Sequence, residues 1–351
     1  TVSALTVFLF FFSFSQEMVI DSVQGTEQKL NEVIVSSIRV KYNSPFTHSN
    51  VSKQELSKRN LGQDLPILLN YLPSVVTTSD AGAGIGYTGI RIRGVSPQST
   101  NITINGIPFN DAESHGTYWV NLPDFTSSIE SLQVQRGVGT STNGSGAFGS
   151  SINILTDGIS EKPFVEISNS FGSYDSRKHT IKFSSGLLNN SFELSGRLSK
   201  IDSDGYVDRS FSDLKSYFLQ GAYKKGNTFL KALAFGGYER GYQSWFGLTK
   251  DQIKENRRQN PYTYENEIDD YKQDHYQVHL NQKLNSNWST NVGLNYTYGR
   301  GYYEQYRDDD DVATYGGIVV SDVDSNGDEL GTTDLIRRRW LDNNFYVFNT
   351  A

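Results

Sequence analysis

Segments in which apolar and polar side chains strictly alternate run through the second half of the chain. The clearest lie at residues 192–199, 275–281 and 288–298, and a further stretch at 229–238 is apolar on both faces. Strict alternation places one kind of side chain on each face of a strand. Strands of about ten residues with this pattern are typical of membrane barrels, whose lipid face is apolar and whose lumen face is polar. The pattern therefore predicts a sheet over residues 158–351.

The connections between these segments alternate in length. Short polar turns at 189–190, 225–227 and 285–287 are separated by long charged insertions, which we place at 202–215, 243–270 and 307–339. Outer-membrane barrels have short periplasmic turns and long external loops. We count roughly eight strands from residue 163 onward. A secreted β-sandwich that binds glycans would also show alternation and stays as an alternative.

Composition agrees with β-structure and narrows the function. The chain holds 21 Tyr, 20 Phe and 32 Gly but one Met. The mean hydropathy of -0.50 excludes a helical membrane protein. Its net charge of -7 and the absence of a basic patch argue against a nucleic-acid partner. The absence of cysteine removes disulfides and thiolate chemistry.

The N-terminal residues predict export. Residues 4–14 form an uncharged apolar run followed by Ser15 and Gln16. This run is too short to span a bilayer as a helix and matches the apolar part of a signal peptide, so we expect residues 1–15 to be removed. A buried strand or helix is the alternative. Because no Met and no Lys or Arg precede the run, we expect the sequence to begin inside its gene.

Residues 16–50 are polar and predict a periplasmic tether. Within it lies a short β-prone stretch made of Glu32, Val33, Ile34, Val35 and Ser36. A segment of this kind can add itself as a strand to the sheet edge of a partner.

Residues 51–157 predict a small mixed α/β domain. Ser52 is placed to cap a helix with Glu55 in its first turn, and a second short helix is expected at 64–72. Brief strands follow at 89–94, 102–104 and 129–136. Asn105 and Gly106 form a strong hairpin-turn pair.

Four sequence blocks of this domain carry a resemblance. They are TGIRIRG at 88–94, ITINGIP at 102–108, IESLQVQRG at 129–137 and GAFGSSINI at 146–154. In this order and spacing they resemble the plug domain of TonB-dependent outer-membrane receptors, and residues 32–36 are similar to the TonB box of that family. The resemblance implies a mixed α/β plug domain followed by an antiparallel transmembrane β-barrel.

The same resemblance implies partners and a location. The implied partners are a TonB-type energy-transducing protein in the periplasm, outer-membrane lipid, and a small-molecule or metal-chelate cargo. The implied location is the outer membrane of a Gram-negative bacterium. Family barrels have about 22 strands around a plugged lumen, so only the first eight or so are expected here. An open sheet edge is costly in lipid, and we expect the sequence to be a fragment.

Three plug arginines are predicted to fix the plug to the barrel. Alternation in 89–94 places Ile90 and Ile92 on one face and Arg91 and Arg93 on the other, and Arg136 lies on another plug strand. Guanidinium groups enclosed by a barrel need carboxylate partners. A role in surface solubility is the alternative.

Two sets of residues, one polar and one aromatic, are candidate cargo contacts. The resemblance places Asn110, Asp111, Glu113 and His115 in a plug loop on the ligand side. Tyr242, Trp245 and Phe246 open a long insertion and suit either a flat, apolar cargo or an interfacial belt. Ser114 beside His115 lacks the geometry of a catalytic pair, and no enzyme activity or cofactor is expected.

Two other motifs are explained without a ligand. Glycines at 82, 84, 86 and 89 superficially match a dinucleotide loop, but a strand follows where a helix is required. A calcium loop would use Asp322, Asp324, Asn326 and Asp328, yet Thr333 stands where the bidentate Glu is needed. A solvated acidic loop is the favoured interpretation.

The sequence thus predicts gated import of a scarce nutrient such as an iron-siderophore, haem or cobalamin. A signalling receptor with the same fold is the main rival, and it would need an extra folded domain before Glu32.

Overall fold

The computed structural model describes residues 39–40, 44–138, 148–316, 323–328 and 331–350. The predicted signal peptide, residues 32–36 and Asp322 lie outside the described residues.

The N-terminal domain, here called the plug, is built on a five-stranded sheet. Its strand order is β1-β6-β7-β4-β5, with β4 and β7 parallel and the other pairs antiparallel. The strands of this sheet are β1 His48–Ser52, β4 Thr100–Ile104, β5 Ile107–Pro108, β6 Ile129–Arg136 and β7 Ser150–Thr156. A separate hairpin pairs β2 Val75–Ser79 with β3 Thr88–Ile92, and the plug helices are α1 Lys53–Arg59 and α2 Leu65–Leu68.

Local sequence signals account for several of these elements. The Ser52 hydroxyl accepts a hydrogen bond of 3.3 Å from the backbone N–H of Glu55 and caps α1. Asn105 and Gly106 both have positive φ angles, 53° and 82°, which the turn between β4 and β5 requires. Both features were predicted.

Plug packing begins before residue 51, where we expected the tether to end. Strand β1 starts at His48 and pairs with β6. Upstream, Val40 and the Gln133 side chain exchange two hydrogen bonds of 2.9 and 3.1 Å. Arg39 donates to the carbonyl oxygens of Ser131 and Asn153. The polar segment 44–50 has no alternating pattern that would predict a strand. Its strand is stabilised by backbone pairing with β6.

The second part of the chain, here called the wall, is one eight-stranded antiparallel sheet in sequential order. Its strands are β8 Pro163–Phe171, β9 Arg177–Ser185, β10 Phe192–Ser203, β11 Ser212–Lys225, β12 Thr228–Tyr242, β13 Ile268–Lys283, β14 Ser289–Asp311 and β15 Thr332–Thr350. The strands do not form two facing sheets, so the β-sandwich alternative is wrong. The long connection 243–267 contains α3 Lys250–Glu255.

The two faces of the wall differ in chemistry. Side chains facing the plug are mostly polar and buried, as on β10, where Glu193, Arg197 and Ser199 face inward. The opposite face carries exposed apolar side chains, among them Leu194, Leu198, Leu219, Leu230, Val278, Leu294 and Phe348. None of the described helices is both long and apolar enough to cross a membrane.

One core joins the plug to the wall. The plug contributes Phe125 and a set of aliphatic side chains, and the wall contributes Phe218, Leu233 and Phe235. The ring centroids of Phe125 and Phe235 lie 5.2 Å apart. This contact explains why residues 229–238 are apolar on both faces: one face meets the plug and the other faces outward.

Candidate functional site

The plug is fixed to the wall at Asp124, a residue in the left-handed region with φ 50° that precedes the short helix Phe125–Ser128. Its carboxylate lies 2.8 Å from the Lys178 ammonium of β9, and both side chains are almost fully buried. Hydroxyls of Thr180 and Ser199 each donate to the same carboxylate at 2.6 Å. Charge-assisted hydrogen bonds of this kind are the stronger ones in proteins.

Arg197 of β10 completes the Asp124 site. Its guanidinium is fully buried and donates to the Asp124 carbonyl oxygen and, at 3.1 Å, to the Ser216 hydroxyl. Burial by itself raises the pKa of the Asp124 carboxyl, but the charges of Arg197 and Lys178 outweigh that effect and hold the pKa well below its usual range. Asp124 therefore stays ionised.

Asp157, at the end of the plug, makes a second ionic attachment. Its carboxylate lies 2.5 Å from Lys182 of the wall and 2.6 Å from Lys53 of the plug. The Lys231 ammonium of β12 donates to the Asp157 carbonyl oxygen at 2.6 Å. Burial raises the pKa of Asp157, and the two lysines more than offset it. In both attachments a carboxylate of the plug pairs with a lysine of the wall.

The three predicted latch arginines are placed differently. Arg136 is buried and donates to the Pro73 carbonyl oxygen at 3.0 Å and to the Ser49 hydroxyl, both within the plug. Arg91 is exposed at the end of β3. The predicted alternation stops at Ile92, because Arg93 has a φ of 55° and lies outside the strand. A role for these arginines in attachment to the wall remains a proposal.

The residues that attach plug to wall were not among the predicted site residues. Lys178, Arg197 and Lys231 are charged residues at inward positions of alternating strands, which is a signal that could have been used. Asp124 carried none, since a single acid in a loop is ordinary. Its partners are distant in the chain.

The backbones of plug and wall also approach closely at Gly237 of β12. A Cβ atom built at this position would lie 2.4 Å from the Asn121 carbonyl oxygen and 2.6 Å from Pro123 Cδ. Only glycine fits without displacing the plug loop.

We expect Gly237→Ala to loosen the plug at a cost of about 1–3 kcal/mol, the usual range for overpacking. The measurement is sensitivity of cells to a large antibiotic such as vancomycin at matched surface abundance. Gly221→Ala on β11 is the control, because nothing lies within 4 Å of a Cβ built there. Equal sensitivity of the two variants would show that the loop accommodates the methyl group.

An aromatic cluster lies where the plug meets the connection 243–267. The Trp245 ring is 5.2 Å from Tyr87 of the plug and 5.5 Å from Tyr303 of β14 between centroids. Tyr262 stacks on Phe246 at 5.0 Å. Phe246 is 60% exposed, so the cluster presents an apolar surface to solvent. Trp245 and Phe246 were predicted cargo contacts, whereas Tyr87, Tyr262 and Tyr303 were not singled out.

The remaining candidate contacts divide into structural and exposed groups. Asn110 bonds the backbone of Ile102, Thr100 and His115, and Asp111 accepts from the N–H groups of Glu113 and Ser114. The Tyr242 hydroxyl donates to the Tyr264 carbonyl oxygen at 2.6 Å. These three side chains stabilise loops, while Glu113 and His115 are exposed.

The acidic loop has the geometry of a turn in its described part. Asp324 accepts from the backbone N–H groups of Asn326 and Asp328 at 2.7 and 3.0 Å. Across the described ranges, no group of three or more acidic or histidine side chains is placed to hold a metal ion.

The family model named TonB-dependent Receptor Plug Domain matches residues 40–168. The vitamin B12 transporter BtuB of Vibrio vulnificus is 32% identical over 156 residues, which are 44% of this chain and 25% of the relative. The probable TonB-dependent siderophore receptor PirA of Acinetobacter baumannii is 29% identical over 50% of this chain and 22% of its own length. The matched region thus spans about a quarter of these relatives.

Solved structures extend the likeness to the wall. The ferric-catecholate import receptor Fiu of Escherichia coli K12 aligns with a TM-score of 0.64 and 16% identity, over 88% of this chain and 46% of that receptor. At this identity the likeness shows the fold. Residues 40–168 therefore match the plug domain of TonB-dependent receptors, and the chain has the fold of such a plug followed by eight antiparallel strands like those of the receptor barrel.

Proposed function

We propose that this protein is an outer-membrane receptor that actively takes up a scarce nutrient, such as an iron-siderophore, haem or cobalamin. One observation carries the proposal: the plug is fixed against the polar face of an antiparallel wall whose other face is apolar. In a membrane barrel the apolar face contacts lipid and the polar face lines the lumen. A plug bound to the lumen face closes the path through it.

The proposed mechanism is gated import. Cargo binds the aromatic cluster and the exposed plug loop from outside. The segment 32–36 adds as a strand to a TonB-type protein in the periplasm, whose energy rearranges the plug. The protein performs no chemistry on the cargo. The relatives named above, a vitamin B12 transporter and a siderophore receptor, support this class of cargo.

Uptake by cells tests the proposal. The full-length gene product is expressed in a Gram-negative host that lacks its own receptors and is starved of iron or cobalamin. Entry of labelled cyanocobalamin, ferric enterobactin and haemin is measured with and without an inner-membrane energy source. Energy-dependent entry of one of them is expected. Binding without entry for all three would favour the signalling receptor.

We expect Trp245→Ala to weaken binding of the imported cargo by about tenfold or more, because buried aromatic anchors dominate recognition surfaces. Cargo affinity at the cell surface is the measurement. Trp288→Ala is the matched control, since Trp288 is an exposed tryptophan beside the short turn between β13 and β14. Equal affinities of the two variants would remove the aromatic cluster from the cargo site.

A further inference from the structure

The plug segment that joins β2 to β3 is held to the wall through Tyr87. Its hydroxyl donates to the Asp269 carboxyl of β13 and lies 3.5 Å from a carboxyl oxygen of Glu239 on β12. The same ring contacts Trp245 edge-on. Tyr87 thus stands between the proposed cargo surface and the wall.

The carboxyl groups around Tyr87 are buried without a cation. Glu239 and Asp269 are each 4% exposed, and nearby Asp64 of the plug is 5% exposed. Among the described residues none of the three takes part in an ion pair, although Asp124 and Asp157 both do. One oxygen of Asp64 and one of Asp269 have no hydrogen-bond partner in the described part of the chain.

This arrangement is costly when the groups are ionised. A buried carboxylate loses its hydration, and without a cation no ion pair compensates for that loss. Neighbouring carboxylates also repel each other. Tyr87 has one hydroxyl proton and Thr88 donates one hydrogen bond to Asp64, at 2.9 Å. These two donors cannot neutralise three carboxylates.

We propose that the segment 80–88 docks on the wall through Tyr87 only while the surrounding carboxyl groups hold protons, so that this side of the plug is released as they ionise. This proposal rests on the proposed function, because Tyr87 belongs to the aromatic cluster that is proposed to bind cargo. It contrasts with the attachments at Asp124 and Asp157, which are ionic.

Within the described ranges, the other groups that face this site do not supply a cation. Asp80 lies at the start of the segment, where its N–H donates to the Tyr87 carbonyl oxygen. Tyr118 of the plug, Tyr271 of β13 and Tyr303 of β14 offer phenol hydroxyls, which are not cations. Asp270 and Arg240 form their pair of 3.8 Å on the outward side of the wall.

The sign of the pH dependence follows from the plug carboxyls. Burial raises the pKa of Asp64 to about 8 and that of Asp80 to about 6. A raised pKa means that the docked state keeps protons that the released state gives up. Docking is therefore most stable below the ordinary carboxyl range and weakens until the pH passes about 8.

Cysteine accessibility measures the release. The chain has no cysteine, so one can be introduced at Ala81, which is 5% exposed inside the segment. Maleimide labelling of Ala81→Cys is measured on the full-length protein in outer-membrane vesicles without cargo. Rates are divided by those of Ser114→Cys, an exposed site on the same plug, which cancels the pH dependence of thiol chemistry itself.

We expect the normalised rate to rise about tenfold or more between about pH 6 and about pH 9, since each unit of raised pKa is worth tenfold. The combined changes Asp64→Asn, Glu239→Gln and Asp269→Asn, which keep acceptors for Thr88 and Tyr87 and cannot ionise, should flatten this rise. A rate that does not change with pH, or an unchanged rise in the amide variant, would overturn the proposal.

A second variant separates docking from general loosening. Tyr87→Phe removes the donor and keeps the ring, so labelling should be fast at both pH values. Tyr271→Phe is the control, because its hydroxyl accepts from Asn343 and Gln273 within the wall. Equal labelling in the two variants would also overturn the proposal. The labelling rates are all measured without cargo. If the uptake experiment fails, they therefore still test the proton-dependent attachment.

Discussion

Replacing Asp124 by alanine should open a passive leak through the receptor. The change leaves Lys178 and Arg197 buried beside an empty site, because both remain in β9 and β10. Removing one partner of a buried ion pair costs about 3–5 kcal/mol, because the remaining charges stay buried and unpaired. We expect cells with Asp124→Ala to become sensitive to vancomycin at matched surface abundance.

Glu130→Ala is the matched control for Asp124→Ala. Glu130 pairs with Lys53 at 3.3 Å, but both side chains are about half exposed. Exposed pairs contribute about 0–1 kcal/mol, so resistance should stay near wild type. Arg93→Ala in the same assay tests the proposed arginine latch. A leak from Arg93→Ala with none from Asp124→Ala would show that attachment depends on the plug arginines.

Proline at position 33 should abolish uptake and leave cargo binding at the cell surface intact. Val33 is the second residue of the β-prone stretch 32–36. Strand addition uses backbone N–H groups, and proline has none to donate. The cargo-facing residues lie in other parts of the chain, so the affinity for cargo should not change. Labelled cargo bound at low temperature and cargo accumulated by energised cells are measured in parallel.

Thr26→Pro is the control for Val33→Pro, because it places the same residue in the tether outside the stretch 32–36. We expect it to retain uptake. Loss of binding together with uptake in Val33→Pro would mean that the segment stabilises the receptor and does not present a strand.

Alternation predicted the strands of the wall but not their ends. Residues 202–215 were expected to form a loop, yet β10 continues to Ser203 and β11 starts at Ser212. Above the apolar band the ladder continues through charged side chains, as in the Lys200 pair with Asp213. At this level the inward face includes buried Leu214 and the outward face is charged, so the pattern of an apolar outer face no longer marks the strand.

The candidate site was predicted in part. Aromatic residues at the start of the connection 243–267 drew attention by composition, and Trp245 does lie in the aromatic cluster. The contacts of Asp124 join residues 54 to 75 positions apart in the chain. Such pairs depend on how the plug is seated, which no local pattern encodes. Tyr87 likewise meets its carboxyl partners only through the fold.

The entry of the chain into the plug sets the order in which tension would act. Arg39 and Val40 are held by side-chain and carbonyl contacts to Gln133, Ser131 and Asn153, next to one another on the chain. A load applied upstream of residue 39 reaches these contacts first and breaks them one after another, because none shares the load with a ladder. Only then does it reach β1, whose five residue pairs with β6 must yield before the plug sheet itself is disturbed. The mechanical threshold of the plug is therefore set at β1 and not at the contacts of Arg39 and Val40.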